Sequence, residues 1–134
     1  MATRARALFE RQIDCIRNDD RAAQLQLYTE DCIYEFPFAV DRPRRIVGRS
    51  EIGRVMTPLW EQARSKGVRV TGYEGSLHET TDPDLLIAEF SLSIEIGPAR
   101  TTLPFVQVIR VRGERIAAVR EYFSPQARSE ALDG

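Results

Sequence analysis

The feature that most constrains the fold is a succession of four long β-type segments in the second half of the chain. They lie at about 68–80, 85–96, 101–112 and 115–124, and the turn sequences TTDPD, GPA and RGE separate them. Apolar and polar residues alternate along these segments, which is typical of strands that bury one face, and the short turns favour antiparallel neighbours. A sheet of this kind needs a second layer over its apolar face.

The first half of the chain supplies that layer as three predicted helices. A stripe that includes Leu8 and Ile13 predicts the first helix over 3–18, and the residues Asn18, Asp19 and Asp20 begin a second, which ends near Thr29. Ser50 is placed to cap a third helix, kinked at Pro58 and ended by Gly67. Between them, Cys32 to Val40 predicts a short strand, and DRPRRIVGR a polar loop. These elements predict one α+β domain over 1–134.

Composition excludes several functional classes. The chain has 134 residues, 43% of them hydrophobic, and its 19 basic and 20 acidic side chains are mixed along its length. We therefore expect neither a nucleic-acid nor a membrane partner. Two cysteines and one histidine are too few for a zinc or iron–sulfur site, so no metal is expected, and free buried thiols suit a cytoplasmic protein. The N-terminal stretch MATRARALFERQ lacks the apolar core of a signal peptide.

Three polar residues interrupt apolar faces. Gln12 lies within the apolar stripe of the first helix, Gln107 lies between Phe105 and Ile109 on the third long strand, and Glu121 interrupts the apolar row of the last. An unpartnered carboxylate in a low dielectric must gain donors or hold its proton. Such a group can act as a general acid or base. We therefore predict Glu121 as the catalytic residue, with Gln107 and Gln12 donating hydrogen bonds to a developing oxyanion.

A structural role remains an alternative for each of these residues. Glu121 can reach solvent at the strand end or pair with Arg110 or Arg112, and both glutamines can be core amides bonded to the backbone.

Other conspicuous side chains also have a structural alternative. Tyr34 and Trp60 can be packing residues, and His78 lies near the exposed end of a strand, where a catalytic role is not expected. The arginines that follow the first strand can form a solvated loop or shape the potential at a pocket entrance; they are Arg42, Arg44 and Arg45.

Three motifs in order, LYTEDCIYEFP, GRSEIGR and RVRGERIAAVREYFSP, resemble the SnoaL-like branch of the nuclear transport factor 2-like superfamily. The resemblance covers nearly the whole chain. It implies a cone-shaped, curved sheet wrapped around three N-terminal helices, with a hydrophobic pocket that needs no cofactor. It also implies a homodimer through the outer sheet face, where Val106, Val108 and Tyr122 would form an apolar patch.

The resemblance and the strand alternation together imply which apolar residues line the pocket. The expected lining consists of Tyr34, Phe36, Val55, Leu59, Trp60, Phe90, Leu92, Ile94, Phe105, Ile109, Val119 and Phe123.

Several positions of this chain differ from the catalytic residues of the superfamily's known enzymes, and these differences limit the reactions that the resemblance implies. Ketosteroid isomerases carry a tyrosine, an aspartate base and a protonated acid where this chain has Gln12, Phe36 and Gln107. Limonene-type epoxide hydrolases need an Asp-Arg-Asp set that the inward-facing strand row lacks. The sequence is most similar to the phenazine-biosynthesis A/B proteins, through ETTDPD and VREYF, where Glu121 matches their acid–base glutamate. Their helix-three histidine and serine correspond to Val55 and Leu59.

The predicted function is that of a cofactor-independent acid–base enzyme. It would isomerise, cyclise or dehydrate a small, largely apolar carbonyl compound, in the manner of a polyketide cyclase. The alternative is a non-catalytic protein that binds a hydrophobic small molecule or serves as a dimeric accessory subunit.

Overall fold

Four helices and six strands make up the part of the chain that the computed structural model describes, residues 2–133. The helices are α1 (Arg4–Arg17), α2 (Arg21–Gln26), α3 (Arg49–Ser65) and α4 (Pro125–Asp133). The strands are β1 (Tyr28–Glu35), β2 (Arg45–Val47), β3 (Val68–Glu79), β4 (Leu85–Ile96), β5 (Ala99–Arg112) and β6 (Arg115–Phe123). None of these helices is long and apolar enough to cross a membrane.

All six strands form one mixed sheet in the order β2-β1-β6-β5-β4-β3. The predicted antiparallel meander is confirmed, because β3, β4, β5 and β6 pair successively in antiparallel fashion. The last strand, β6, then lies parallel to β1, while β2 pairs antiparallel with β1 at the sheet edge. The α+β class is confirmed. This order places the first strand, β1, beside the last strand, β6.

Helix α1 packs its apolar stripe on the sheet as predicted. Thr3 caps it by accepting a hydrogen bond from the backbone N–H of Arg6 at 3.2 Å. Leu8, Phe9 and Ile13 are buried, and the Phe9 ring meets the Phe90 ring of β4 edge to face, with centroids 5.2 Å apart. Each such side chain contributes about 1.5–3 kcal/mol by leaving water. The stripe therefore anchors the helical layer to the sheet.

The first strand and its surroundings differ from the prediction. Strand β1 begins at Tyr28 rather than Cys32 and ends at Glu35, before Pro37. Beyond it the chain turns, because the Phe36 N–H donates to the Arg44 carbonyl at 2.8 Å. The segment predicted as a polar loop contains strand β2, whose central residue Ile46 is buried.

The boundaries of two helices also correct the prediction. Helix α3 begins at Arg49 and includes Ser50, while Gly48 occupies the cap position at φ +97°, a backbone conformation that favours glycine. Helix α4 was not predicted. Ser124 accepts a hydrogen bond from the Ala127 N–H at 3.1 Å, and Pro125 takes the first helical position, a combination typical of a helix start.

Candidate active site

A cavity of about 150 Å³, partly open to solvent, lies between the helices and the sheet. A cavity of this volume accommodates a molecule with about one aromatic ring. Its wall contains an apolar group of side chains, which includes Ile16, Ile52, Met56, Leu59, Trp60, Leu92, Ile94, Leu103 and Phe105. Polar and charged groups enter the wall at a few positions, namely Arg21, Gln24, Tyr28, Tyr34, Arg42, Glu121 and Arg128.

Part of the expected lining faces this cavity and part packs elsewhere. Tyr34, Phe36, Leu59, Trp60, Leu92, Ile94 and Phe105 line it, whereas Val55, Phe90, Ile109, Val119 and Phe123 do not. Phe90 is covered by Phe9 and stacks on Phe105, and Ile109 pairs with Val119 in the buried core. The other two also pack within the protein: Val55 against the core, and Phe123 against the edge of Phe36.

Glu121 occupies the cavity wall with one oxygen engaged. On β6 it lies directly opposite Gln107 of β5, whose Nε2 donates to Glu121 Oε1 at 2.6 Å. The Tyr34 hydroxyl of β1 donates to the same oxygen at 2.8 Å. Among the described residues, none donates to Oε2. These two hydrogen bonds fix the orientation of the carboxyl group.

The alternative partners of Glu121 point elsewhere. Arg110 bonds to Asp82 at 3.0 Å and Arg112 bonds to Asp31, both on the protein surface. The carboxylate is half-buried rather than solvated at a strand end. It is therefore part of the interior polar network.

A chain of buried hydrogen bonds continues from this carboxylate to a guanidinium group. Gln12 Nε2 donates to Gln107 Oε1 at 2.9 Å, and the Tyr28 hydroxyl donates to Gln12 Oε1 at 2.8 Å. Gln24 Nε2 donates to the Tyr28 hydroxyl at 3.0 Å, and Arg21 Nη1 donates to Gln24 Oε1 at 2.8 Å. Every bond has its donor on the side of the cation. The series of hydrogen bonds is thus polarised from the positive Arg21 to the negative Glu121.

The two predicted oxyanion donors lie behind the cavity wall. Gln12 and Gln107 are buried, and neither lines the cavity. The amide of Gln12 bonds to Gln107 and Tyr28, while that of Gln107 bonds to Glu121 and, at 3.3 Å, to Tyr34. Sequence reasoning therefore identified three residues that meet in space. The geometry suits the glutamines to holding Glu121 in position.

Both tyrosines of the network remain protonated donors at neutral pH. Burial raises the pKa of Tyr34 well above its ordinary value, and the nearby Glu121 charge raises it further. Burial likewise raises the pKa of Tyr28. Tyr34 therefore takes part in the site through its hydroxyl, beyond the packing role considered for it.

Three arginines at the cavity were not predicted as site residues. The Arg42 side chain is 4% exposed, which contradicts a solvated position, and its guanidinium lies 4.9 Å from the centroid of Phe36. Arg21 lies over Trp60 at 4.8 Å, and Arg128 projects from the unpredicted helix α4. Arg44 and Arg45 are exposed, but only Arg44, which donates to the Ala39 carbonyl, lies in a loop, because Arg45 begins strand β2. Arg42, in the loop after β1, had been considered only for the potential at a pocket entrance, and the short helices that carry Arg21 and Arg128 have too little periodicity to indicate an inward face.

The remaining candidate ligands stay outside the site. His78 is exposed on β3 and contacts Glu89 at 3.0 Å. Cys15 and Cys32 are free, and burial raises the pKa of the Cys32 thiol to about 12. Over residues 2–133 there is no cluster of three His, Cys, Asp or Glu side chains able to hold a metal ion.

Sequence comparison relates the chain to two known proteins and one family model. The model of the SnoaL-like domain matches residues 9–119. The uncharacterised protein YesE of Bacillus subtilis is 28% identical over 120 residues, which cover 86% of this chain and 78% of that protein. An uncharacterised PhzA/B-like protein of Pseudomonas aeruginosa is 27% identical over 133 residues, 97% of this chain and 91% of that one.

Solved structures share the fold at low sequence identity. A candidate isomerase from Bacillus subtilis superposes with a TM-score of 0.79 at 20% identity, covering 98% of this chain and 94% of the other. A candidate polyketide cyclase from Xanthomonas campestris gives 0.72 at 17% identity, with 96% of each chain covered. RV0760c from Mycobacterium tuberculosis, in complex with estradiol-17β-hemisuccinate, gives 0.71 at 20% identity, covering 92% and 96%. These similarities establish the architecture only.

Proposed function

The chain belongs to the SnoaL-like domain family, and from this premise we propose that it is a cofactor-independent acid–base enzyme. Its substrate is a small, largely apolar carbonyl compound, which it isomerises, cyclises or dehydrates. The observation that carries the proposal is a carboxylate, Glu121, held by two donors in the wall of a mostly apolar cavity. In such surroundings fewer water molecules solvate the base, so solvation reduces its reactivity less than in bulk water.

Glu121 is the catalytic residue of the proposed reaction. It takes a proton from the carbon next to the substrate carbonyl, leaving an enolate, and returns that proton to a different atom of the same molecule. Because Tyr34 and Gln107 occupy Oε1, Oε2 is the oxygen that accepts the proton. General acid–base catalysis of this kind contributes about 10²- to 10⁴-fold.

The glutamines position Glu121 in the proposed reaction, and the cavity arginines supply positive charge. Gln107 and Gln12 act as positioning residues, because they reach the reacting carboxylate only through hydrogen bonds behind the wall. The positive charge of Arg21 in the cavity wall stabilises the charge that develops on the enolate oxygen. A preorganised donor at such an oxygen contributes about 2.7–4 kcal/mol.

The proposal can be tested with 5-nitrobenzisoxazole, a small fused bicyclic compound that reports on a buried base. When a base removes its ring proton, the N–O bond breaks and a coloured cyanophenolate forms, so turnover is followed by absorbance. We expect wild-type protein to accelerate this reaction and Glu121→Gln to lower kcat/KM at least about 100-fold. Glu114→Gln is the matched control, because Glu114 is exposed in the β5–β6 turn. Unchanged turnover in Glu121→Gln would refute Glu121 as the base.

A non-catalytic binding role is the second candidate. It is favoured by the composition of the wall, where Glu121 is the single acidic side chain among the described lining residues. Native mass spectrometry of purified protein would identify a co-purifying compound. If Glu121→Gln retained that compound with full affinity and no carbonyl substrate were turned over, the binding role would replace the catalytic one.

We further propose that the protein is a homodimer formed through the outer face of the sheet. Val106, Val108 and Tyr122 are half-buried there in the single chain. Phe38 is 58% exposed and packs its ring against Tyr122, with centroids 5.7 Å apart. An apolar patch of this kind supports contact with a second copy.

A further inference from the structure

Three guanidinium groups in the cavity wall exceed what a neutral substrate requires. Among the described residues, the charged side chains that line the cavity are Arg21, Arg42, Arg128 and Glu121, three cations and one anion. Withdrawing a charged group from water is costly unless a partner compensates it. The partners of the three arginines therefore indicate what kind of molecule the cavity binds.

Arg42 is the most deeply placed of the three. Its side chain is 4% exposed and its guanidinium lies over both the Phe36 and the Phe123 ring, at 4.9 and 5.5 Å from their centroids. Asp41 accepts from its Nε at 2.8 Å and its Nη2 at 3.0 Å, and Nη1 meets only the weak acceptor Met56 Sδ at 3.7 Å. Two of its five N–H groups thus bond to no described residue.

Arg128 faces the same space from helix α4. Its Nη1 donates to Asp41 Oδ2 at 2.8 Å, so Asp41 serves both guanidiniums. Burial and the nearby Arg42 charge lower the pKa of Arg128 from its ordinary value, which is the effect expected of two cations sharing one carboxylate. Within residues 2–133, the other four N–H groups of the Arg128 guanidinium make no hydrogen bond.

A basic groove adjoins the cavity on its other side. It shares Arg21, Trp60 and Val68 with the cavity and adds Arg17, Arg64 and Arg69 to its rim, with Asp19 as the acidic group. A rim with this excess of positive charge attracts anions from solution. The surface potential near the cavity thus favours the same charge as the arginines inside it.

We propose that the compound bound in this cavity carries a carboxylate, held between Arg42 and Arg128, on an apolar body of about one ring. The planar guanidinium fork matches the two oxygens of a carboxylate, and the uncommitted N–H groups of both arginines supply the donors. The Phe36 and Phe123 rings keep Arg42 in place for this contact. This inference rests on the proposed function, since it names the class of its substrate.

Isothermal titration calorimetry with benzoate and benzamide tests the inference, because the two probes have nearly the same size and differ in charge. In a low-chloride buffer we expect wild-type protein to bind benzoate at least about tenfold more tightly than benzamide. Arg128→Gln should weaken benzoate about tenfold and leave benzamide within twofold. Arg42→Lys should also weaken benzoate, since it keeps the charge but loses the fork. Arg45→Gln, exposed on β2, is the control and should change neither affinity.

Equal affinity for the two probes, or benzoate binding unaffected by Arg128→Gln, would overturn the inference. Arg128→Gln decides even if Arg42→Lys fails to fold, because the Arg128 side chain is 28% exposed and tolerates replacement more readily. Failure of the proposed function is distinguishable. Benzoate preference without any Glu121-dependent turnover of 5-nitrobenzisoxazole leaves a carboxylate-binding protein, whereas such turnover without benzoate preference leaves an enzyme for neutral substrates.

Discussion

The two carboxylate oxygens of Glu121 differ in their hydrogen bonding. Oε1 receives hydrogen bonds from Tyr34 and Gln107, while Oε2 receives none from the described residues. The alternation of β5 and β6 predicted that Gln107 and Glu121 interrupt apolar rows, but not that they face each other. That pairing depends on the register set across the β5–β6 turn.

Replacing Gln12 tests the buried amide chain. Gln12→Leu removes the donor to Gln107 Oε1 and the acceptor for the Tyr28 hydroxyl proton, so the free energy of unfolding should fall by about 1–3 kcal/mol. Because Gln12 acts through Glu121, kcat for 5-nitrobenzisoxazole should fall while KM stays nearly constant. Urea denaturation and steady-state kinetics measure both. Gln62→Leu, exposed on α3, serves as the control, and a Gln12→Leu variant as stable as this control would contradict the prediction.

Asp41 should link stability to pH in the acidic range. The hydrogen bond from Arg42 holds the pKa of Asp41 below its ordinary value, so this carboxylate stabilises the folded state above about pH 4. That stabilisation is lost as the pH falls through the lowered pKa. Urea denaturation should therefore show a deficit for Asp41→Asn at pH 7 that shrinks at pH 3. A deficit for Asp41→Asn that is independent of pH would exclude the linkage.

At the scale of elements, long regular segments were predictable and short ones were not. Strands β4 to β6 match their predicted ranges closely because each carries several periods of alternation. Strand β2 has three residues, too few to show a period, and it is recognisable only through its pairing with β1. Helix α4 has a start signal at Ser124 and Pro125, but its weak amphipathic pattern did not single it out.

Strand β3 has a close approach at Gly75. A Cβ at this position would lie 2.9 Å from Phe90 Cβ and 2.6 Å from the Tyr73 hydroxyl oxygen. Gly75→Ala should therefore reduce the free energy of unfolding by about 1–3 kcal/mol, the typical cost of overpacking. Thermal or urea denaturation measures the loss. Ser76→Ala, at the next and exposed position, should differ from wild type by less than about 0.5 kcal/mol, and equal stabilities of the two variants would contradict the clash.

At the scale of the whole molecule, the site depends on the sheet order. The parallel pairing of β1 with β6 brings Tyr34 to Glu121 across 87 residues of sequence. Arg42 and Arg128 meet at Asp41 because the loop after β1 and the helix after β6 leave neighbouring strands. Segments from both ends of the chain thus line the cavity.

The proposed dimer makes a prediction at the same scale. Val108→Glu places a charge on the outer sheet face, so sedimentation velocity should show wild type as a dimer and this variant as a monomer. Thr71→Glu on β3, at the far edge of the sheet, should leave the dimer intact. A wild-type protein that sediments only as a monomer at high concentration would refute the proposal.

The sequence by itself determined the α+β class, the meander, the main helices and the three polar residues that converge inside, because periodicity and polarity are local properties of the chain. Only the tertiary structure decided that Gln12 and Gln107 lie behind the wall, that Tyr34 holds Glu121, and that arginines line the cavity. The physical reason is that a side chain's burial and partners depend on which distant strands and loops lie beside it. At Arg42, Asp41 is the preceding residue and Phe36 lies shortly before it, but the Phe123 ring and the second guanidinium at Asp41, that of Arg128, come from the other end of the chain.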